Sequence, residues 1–407
     1  MTRFVLLALG SLLLLVVSCQ HGTPVPATAV ATGLPRPSTL TQLPVSTATL
    51  RLPASSTTTP HPTNTPPATS SPTTATAQAT ASPLLAFQPI QNRAIIDRAP
   101  LHIRALTDGK HKYKNAVWAP AGDWLAATPQ DGPGLDLVAS TSGQIIHVVT
   151  DTFVLDPVWD MASSPCSNGE QGATSLLVQQ IIDRNDQLRR FRLCTMSFEP
   201  TPVIVSSQPL RAPALSSNIV VYGRDGQLMV QRGAASTAFQ SGDVLATALS
   251  SGSQPWLAWT PLVDNLEAVS VVIAHPPDSQ LRTVSNPGEG WWLPQWSRGG
   301  TRLALSNIDG RIGTVELASG RRYDLGPGES PVWSPNGQTI AFAGSSAGVD
   351  YTTRDIHLVD WQGHGPRFRL THANPEQLFV SPSWSPDGKE LAFVEIDSGK
   401  IFIAERP

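Results

Sequence analysis

Short apolar runs, each preceded by a tryptophan and a tight turn, recur along the second part of the chain. In every copy a strand-like segment ends at the tryptophan, a turn of Ser-Pro-Asp-Gly type follows, and an apolar or alternating strand comes next. Proline presets the first turn position and Asn/Asp-Gly permits the reversal, so each copy predicts a β-hairpin. The copies are AVWAPAGDWLAATP (Ala116–Pro129), PQWSRGGTRLALSN (Pro294–Asn307), PVWSPNGQTIAFAG (Pro331–Gly344) and PSWSPDGKELAFVE (Pro382–Glu395).

Two further strand patterns follow these hairpins. After Trp333 the chain reads DIHLVD, a turn and RFRLT, and after Trp118 it reads LDLVAS, a turn and IIHVVT. The intervals from Trp118 to Trp159, from Trp296 to Trp333 and from Trp333 to Trp384 are 41, 37 and 51 residues. A repeat near 40 residues with four strands per unit predicts an all-β fold, the β-propeller, in which neighbouring blades cover each other's apolar faces and edges.

The predicted ring has seven blades, with six as the alternative. Two weakly patterned units, at about Leu215–Gln231 and Val244–Ser285, complete the count of seven. The last unit has no fourth strand of its own, and LHIRALTDG (Leu101–Gly109) is similar to the missing one. We therefore expect this N-terminal strand to close the ring. The tryptophans expected in the blade cores are Trp118, Trp159, Trp296, Trp333 and Trp384.

The repeats resemble a known family. WSPDGKELAF and WSPNGQTIAF closely resemble the WD40-like repeat of the TolB type, and RFRLT is similar to the end of that repeat. The resemblance covers most of residues 101–407, is strongest in the last three copies and is thin between about Ser206 and Ser285. It implies a protein-interaction or substrate-gating module. TolB itself resembles a six-bladed ring, which is one reason for the alternative blade count.

Residues 1–18 are interpreted as a lipoprotein signal peptide. Arg3 precedes an apolar run from Phe4 to Val17, which is shorter than the about 20 residues of a membrane-spanning helix. The run ends in Val-Val-Ser-Cys, which resembles a bacterial lipobox, so Cys19 is expected to carry a lipid anchor. An ordinary secretory signal and an uncleaved anchor are the alternatives. The expected location is the cell surface or the periplasmic face of a bacterial envelope, with the membrane bound through the lipid.

Residues 19–85 are predicted to form a disordered linker, and residues 86–407 the propeller domain. The linker is rich in Thr, Pro, Ser and Ala and has no aromatic or acidic residue. Such a composition buries too little apolar surface to offset the entropy of ordering the chain. Its prolines favour an extended spacer between membrane and domain.

Charge and cysteine content narrow the classes of partner. The net charge is −3, and there is no basic block of the kind that nucleic-acid binding requires. We therefore expect no nucleic-acid partner, and we expect a monomer. In an exported protein Cys166 and Cys194 are expected to form a disulfide, with two unpaired buried thiols as the alternative.

No motif predicts catalysis, so we expect a protein that is not an enzyme and has no cofactor. GSSAG (Gly344–Gly348) matches G-x-S-x-G, but a nucleophile elbow needs a following helix, and a loop and strand follow here. The nine histidines are dispersed, without H-E-x-x-H or a Cys/His cluster, so no metal site is predicted. His357 alternates with apolar neighbours and is interpreted as a residue on a strand face.

The predicted binding surface is the end of the ring that carries the loops between blades and the loops from second to third strands. This channel face contains Asp108–Asn115, Asn286–Leu293, Ser345–Asp355 and Thr371–Phe379. Its candidate residues are Lys112, Tyr113, Glu289, Trp291, Trp292, Asp350, Tyr351, Arg354 and His372. An exposed tryptophan pair would anchor a protein partner or stack on a sugar. The alternative is that one or both tryptophans pack into the fifth blade.

The sequence thus predicts a lipid-anchored, surface-displayed propeller that binds an envelope protein or cell-wall polymer through its channel face. A glycan-binding or small-molecule-sensing lipoprotein is the second hypothesis. A hydrolase or lyase with an unrecognised site in the channel is the third.

Overall fold

The computed structural model describes residues 84–90, 94–97, 102–152, 154, 157–160, 174–265, 268–278, 280–345 and 353–405. The chain divides into two units, Met1–Ser82 and Pro83–Pro407, and all of the described residues belong to the second. The predicted signal peptide, Cys19 and nearly all of the predicted linker lie outside the described residues. Within the described part, no helix has the length and apolar character needed to cross a membrane.

Strands and turns make up the second unit. Three short strands precede the first blade: β1 (Phe87–Pro89), β2 (Ile95–Asp97) and β3 (Ile103–Ala105). The first blade contains β4 (Tyr113–Trp118), β5 (Trp124–Pro129), β6 (Leu135–Ala139) and β7 (Ile145–Val149). The second contains β8 (Val158–Trp159), β9 (Ser175–Ile182), β10 (Asn185–Arg192), β11 (Ser197–Phe198) and β12 (Ile204–Ser206), the last two both pairing with β10.

The third and fourth blades are those whose repeats were weakest in the sequence. The third contains β13 (Arg211–Ser216), β14 (Ile219–Arg224), β15 (Gln227–Arg232) and β16 (Ala235–Ser241). The fourth contains β17 (Val244–Leu249), β18 (Leu257–Pro261), β19 (Val272–Ala274) and β20 (Arg282–Thr283). Both are complete four-stranded antiparallel sheets.

The last three blades carry the clearest repeats. The fifth contains β21 (Trp291–Trp296), β22 (Arg302–Asn307), β23 (Arg311–Glu316) and β24 (Arg322–Pro327). The sixth contains β25 (Glu329–Trp333), β26 (Thr339–Gly344), β27 (Asp355–Asp360) and β28 (Arg367–Arg369). The seventh contains β29 (Phe379–Trp384), β30 (Glu390–Glu395) and β31 (Ile401–Glu405), with β3 as its fourth strand. The predicted seven-bladed propeller is therefore confirmed.

Ring closure follows the prediction. β3 pairs antiparallel with β31, with Ile103 opposite Ala404 and Ala105 opposite Phe402. The seventh blade thus joins strands from both ends of the propeller domain. Two additions were not predicted from the sequence: β1 pairs parallel with β24, and β2 pairs parallel with β28. The strands β1, β2 and β3 therefore each supply an outer strand, to the fifth, sixth and seventh blades in turn.

The repeated turn is held by its serine. The hydroxyl of Ser385 donates to Asp387 Oδ1 at 2.8 Å and accepts the backbone N–H of Glu390 at 2.9 Å. Gly388 completes the turn at φ +73°, a left-handed conformation that glycine adopts without steric cost. Ser334 makes the equivalent bonds in the sixth blade.

The repeated tryptophans connect blades. Trp159 donates its indole N–H to the carbonyl of Val117, and Trp333 donates to that of Gln295, at 3.0 and 3.2 Å. Trp296 makes the same bond to Ala248 at 3.1 Å. In each case the acceptor lies on the first strand of the preceding blade. Trp118, Trp159, Trp333 and Trp384 are buried and Trp296 is partly buried, in clusters between neighbouring sheets.

Candidate interaction face at the channel

The first strands of the blades surround the axis of the ring. They contact one another in order: β8 with β13, β13 with β17, β17 with β21, β21 with β25, β25 with β29, and β29 with β4. Only three charged residues occur in these seven strands: Lys114, Arg211 and Glu329. Arg211 lies 3.7 Å from Asp243, and Glu329 lies 2.8 Å from Arg354. The exposed and half-exposed residues are otherwise small or uncharged, so the channel is largely neutral.

A β-bulge recurs near the start of the first strands. The pairing register shifts in β4, β13, β17, β21, β25 and β29. In four of these strands a residue other than glycine has a left-handed backbone directly before a proline: Ala212 (φ 44°), Leu293 (47°), Ser330 (51°) and Ser381 (52°). A bulge leaves backbone groups outside the ladder, and proline has no N–H to contribute.

These bulges place strained and accessible residues at the mouth of the channel. Leu293 and Ser330 are exposed and Ser381 is half-buried, whereas the prolines that follow them are buried. A left-handed residue other than glycine costs of order 1–3 kcal/mol, and such strain is concentrated at ligand-binding sites. The sequence contains a proline two residues before the repeated tryptophan in these blades. That proline marks the position of the bulge, but the sequence pattern alone indicates only a hairpin.

Three of the candidate residues are buried. Tyr113 is fully buried, and its hydroxyl donates to Asp136 Oδ2 at 2.9 Å. Burial first, and then the charge of Asp136, raise the pKa of Tyr113 far above its ordinary value. The side chain of Tyr113 is therefore a buried structural donor and not, as proposed from the sequence, part of an exposed rim.

The tryptophan pair packs into the protein, which was the alternative considered above. Trp291 stacks on Phe87 of β1, with ring centroids 4.3 Å apart, and Trp292 packs with Leu245 and Val269. Their side chains are 4% and 8% exposed. The expectation that these two rings form an exposed anchor is thus wrong. The N-terminal strand β1 covers Trp291.

Glu289 and Arg354 are half-buried in ion pairs. Arg322, which is 1% exposed, donates to both carboxylate oxygens of Glu289 at 2.7 and 3.1 Å. Arg354 donates to Glu329 at 2.8 and 3.2 Å. Both pairs join a loop of the channel face to a blade and hold that loop in place.

Lys112 and His372 are exposed, as a binding face requires. His372 lies 3.6 Å from Asp97 at the end of β2. Its loop is joined to the start of β27 through two bonds: Ala373 N–H donates to Asp355 Oδ1 at 2.7 Å, and Arg354 N–H donates to the carbonyl of Gln377 at 3.1 Å. The described end of the loop before β27 is therefore hydrogen-bonded to the Thr371–Phe379 loop.

The remaining candidates fall partly outside the described residues. Asp350, Tyr351 and Cys166 are not described. Cys194 is disulfide-bonded and exposed, and its pairing with Cys166 stays a prediction.

Two buried titratable groups belong to the sixth blade. Burial lowers the pKa of His357 to about 4, and the cations Arg367 and Arg369 act in the same direction, against Asp355 and a hydrogen bond to Gly344. Burial also lowers the pKa of Arg367 to about 10. His357 is 1% exposed and stacks on Phe342. It is a core residue of the blade, in agreement with its interpretation as a strand-face residue.

Two further features bear on ligand chemistry. In the parts of the chain that the structure describes, no group of three His, Cys, Asp or Glu side chains is arranged to hold a metal ion.

A cavity of about 160 Å³ opens between the third and fourth blades, lined by Leu228, Gln240, Ser241, Gly242, Asp243, Trp259, Pro261, Val272 and Leu281. It is smaller than the roughly 300–1,000 Å³ of typical ligand pockets.

Comparison with solved structures places the domain among β-propellers. The oligogalacturonate lyase of Vibrio parahaemolyticus superposes with a TM-score of 0.54 at 10% identity, covering 75% of this chain and 93% of the lyase. The β-propeller domain of Myceliophthora thermophila Cps50 (Swd1) gives 0.56 at 12% identity, covering 75% and 100%. An oligogalacturonate lyase in complex with manganese gives 0.52 at 15% identity, covering 79% and 97%. At such identities the likeness establishes the fold alone.

Sequence comparison gives a short match. The Tol-Pal system protein TolB of Bordetella pertussis is 41% identical over 49 residues, which is 12% of this chain and 10% of TolB. The TolB proteins of Bordetella parapertussis and Bordetella bronchiseptica match equally. The chain thus spans about a tenth of the length of these relatives, and no protein-family profile matches it. Fold and repeats establish that the domain is a seven-bladed β-propeller, and its sequence likeness to TolB is limited to 49 residues.

Proposed function

We propose that this protein is a non-enzymatic interaction module that binds an extended peptide segment of another envelope protein at its channel face. The observation that carries the proposal is the set of bulged first strands at the channel mouth. Backbone groups left outside a ladder, together with the hydroxyl of Ser330, are donors and acceptors that match a peptide main chain. The hydroxyl of Ser381 donates to the carbonyl of Lys114 at 3.3 Å, so it is counted here as an acceptor.

The electrostatics support a neutral partner segment. The first strands contribute two cationic residues, Lys114 and Arg211, and the second of these already lies beside Asp243. A polyanion such as an oligogalacturonate carries one carboxylate per sugar, and its recognition calls for several cations. The channel lining therefore favours a peptide over the polymer that the names of the lyase neighbours imply.

Lipid anchoring belongs to the same proposal. The lipobox-like Val-Val-Ser-Cys sequence would anchor the chain through Cys19, and the Thr/Pro-rich residues 19–85 would separate the membrane from the ring. The short match to TolB, a protein named for the Tol-Pal system, supports an envelope location. A cell-wall glycan is the second candidate ligand, because hydroxyl and amide groups such as those of Ser381 and Gln295 also suit neutral sugars.

Site-specific photocrosslinking in cells tests the proposal. A benzophenone amino acid at Leu293 reports the channel mouth, and the same group at Met196 serves as the control. Both residues are exposed apolar side chains, 37% and 40% exposed, with φ of 47° and 48°. Met196, however, lies between β10 and β11, at the opposite end of the ring.

We expect the Leu293 position to capture one protein, with the crosslink within a contiguous segment of that protein, and the Met196 position to capture none of it. Identical products from both positions, or no protein product at Leu293, would overturn the peptide-binding proposal. Labelled cell-wall fragments at Leu293 would favour the glycan.

A further inference from the structure

Two histidines from different parts of the first blade's sequence meet beside a buried carboxylate. The rings of His111 and His147 have centroids 5.4 Å apart at an interplanar angle of 58°. His111 lies just before β4, and His147 lies in β7. Both are exposed, His147 with half of its side chain accessible. We propose that this pair binds a divalent transition-metal ion such as Zn²⁺, Ni²⁺ or Cu²⁺.

The separation of the rings suits a shared ion. With metal–nitrogen bonds of about 2.0–2.1 Å, each ring centroid lies about 3 Å from the metal, so two ligands at a tetrahedral angle have centroids about 5 Å apart. The observed centroid separation of 5.4 Å is close to this value. The remaining coordination positions go to water or to a donor from a partner molecule.

Asp136 orients the second ligand. Its Oδ1 lies 2.7 Å from His147 Nδ1, and its Oδ2 accepts the Tyr113 hydroxyl at 2.9 Å. Asp136 is 3% exposed, and Tyr113 is fully buried. With Nδ1–H donating to the carboxylate, His147 presents the lone pair of Nε2 for a metal. Carboxylate–histidine–metal arrangements of this kind raise the basicity of the ligand and fix its tautomer.

This buried carboxylate distinguishes the pair from two chance neighbours on a surface. Tyr113, Asp136 and His147 come from the first, third and fourth strands of one blade, so the hydrogen-bonded series is part of the blade itself. The site is independent of the peptide-binding proposal, and each can fail without the other.

Zinc titration calorimetry of the full-length chain, purified without an oligohistidine tag, tests the site. We expect one zinc ion per chain, and at least tenfold weaker binding in His111→Ala and in His147→Ala. The change Asp136→Asn weakens binding about tenfold, the effect typical of an outer-shell partner. His102→Ala is the matched control, because His102 is also exposed and is expected to leave the affinity unchanged.

Electron paramagnetic resonance with Cu²⁺ alone supplies a second readout. The wild-type spectrum should show coupling to two imidazole nitrogens, and His111→Ala, a loop variant that leaves the strands intact, should show one. Zinc affinity that is the same in His111→Ala as in the wild type, or a copper spectrum unchanged by that substitution, would overturn the proposal.

Discussion

The guanidinium of Arg322 donates to both carboxylate oxygens of Glu289, with Nη1–Oε2 at 2.7 Å and Nη2–Oε1 at 3.1 Å. Arg322 is the largest fully buried side chain in the described residues. It also donates to the carbonyl of Leu85 and lies 4.5 Å from the ring of Phe87. One buried cation thus joins the fifth blade, a loop of the channel face and the N-terminal strand β1.

Replacement of Glu289 by Gln is expected to destabilise the protein. It leaves the buried guanidinium without its counter-charge, and breaking a buried pair from one side costs about 3–5 kcal/mol. Because Glu289 is partly exposed, we expect a loss of about 2–4 kcal/mol in the free energy of unfolding. Unfolding in guanidinium chloride, followed by circular dichroism, measures this free energy. Lys110→Ala, in an exposed pair with Asp108, is the control and should leave the free energy of unfolding unchanged, because solvent screens an exposed ion pair. A Glu289→Gln effect equal to this control would contradict the assignment.

Phe87→Ala tests the contact between β1 and the fifth blade. It removes the ring that stacks on Trp291 and lies against Arg322, and deletion of a phenylalanine of this kind costs about 3–5 kcal/mol when fully buried. Phe87 is partly buried, so we expect about 2 kcal/mol. In a double-mutant cycle the loss should be non-additive with Glu289→Gln, by at least about 0.5 kcal/mol. The loss caused by Phe87→Ala should be additive with that of Trp333→Phe, because Trp333 belongs to a different contact. An equal coupling energy in the two double-mutant cycles would contradict the account in which Arg322 links Phe87 to Glu289.

The indole N–H groups that connect blades can be tested by phenylalanine substitution. Trp333→Phe removes the indole bond to the carbonyl of Gln295, so we expect a loss of about 0.5–1.5 kcal/mol. Trp118 is the matched control, because its indole nitrogen is buried without a hydrogen-bond partner in the described part of the structure. Trp118→Phe relieves an unsatisfied donor and should cost less than Trp333→Phe in the same thermal denaturation assay. The reverse order would show that indole bonds do not hold the blades together.

His357 predicts a dependence of stability on pH. Its pKa is lowered from 6.5 to about 4, so the unfolded chain binds more protons than the folded one between these values. Stability from this residue is complete above about pH 6.5 and is lost as the pH falls towards 4, by about 3 kcal/mol. Unfolding titrations at pH 7 and pH 4.5 should show a smaller difference for His357→Gln than for the wild type. An unchanged difference would mean that other groups account for the acid sensitivity.

The sequence predicted the ring because the ring is a local repeat. The tryptophan, the serine turn and the two strands of each copy are close in sequence, so their recurrence favoured seven blades over six. The similarity of Leu101–Gly109 to a fourth strand indicated how the ring closes. Even the third and fourth blades, whose repeats are degenerate, were counted correctly. Hairpins require only neighbouring residues, so sequence patterns report them well.

The features that escaped prediction depend on contacts between distant segments. β1 lies in the Pro-rich boundary of the domain and pairs with a strand more than 230 residues later, as in the register of Phe87 with Arg322. No pattern in residues 84–97 indicates this pairing, and without it Trp291 would be exposed. His111 and the strand that carries His147 are likewise separated by three strands, β4, β5 and β6. The channel bulges were visible as X-Pro before the tryptophan, but their left-handed backbone was not.

The most direct test of the peptide-binding channel is quantitative capture of envelope proteins by the full-length chain, comparing the wild type with Ser330→Arg/Ser381→Arg. Two added cations in the neutral lining should reduce recovery of the captured partner at least tenfold. Met196→Arg, at the opposite end of the ring, should leave recovery unchanged, and all three proteins should unfold at similar temperatures. Undiminished recovery by the Ser330→Arg/Ser381→Arg variant would contradict binding at the channel.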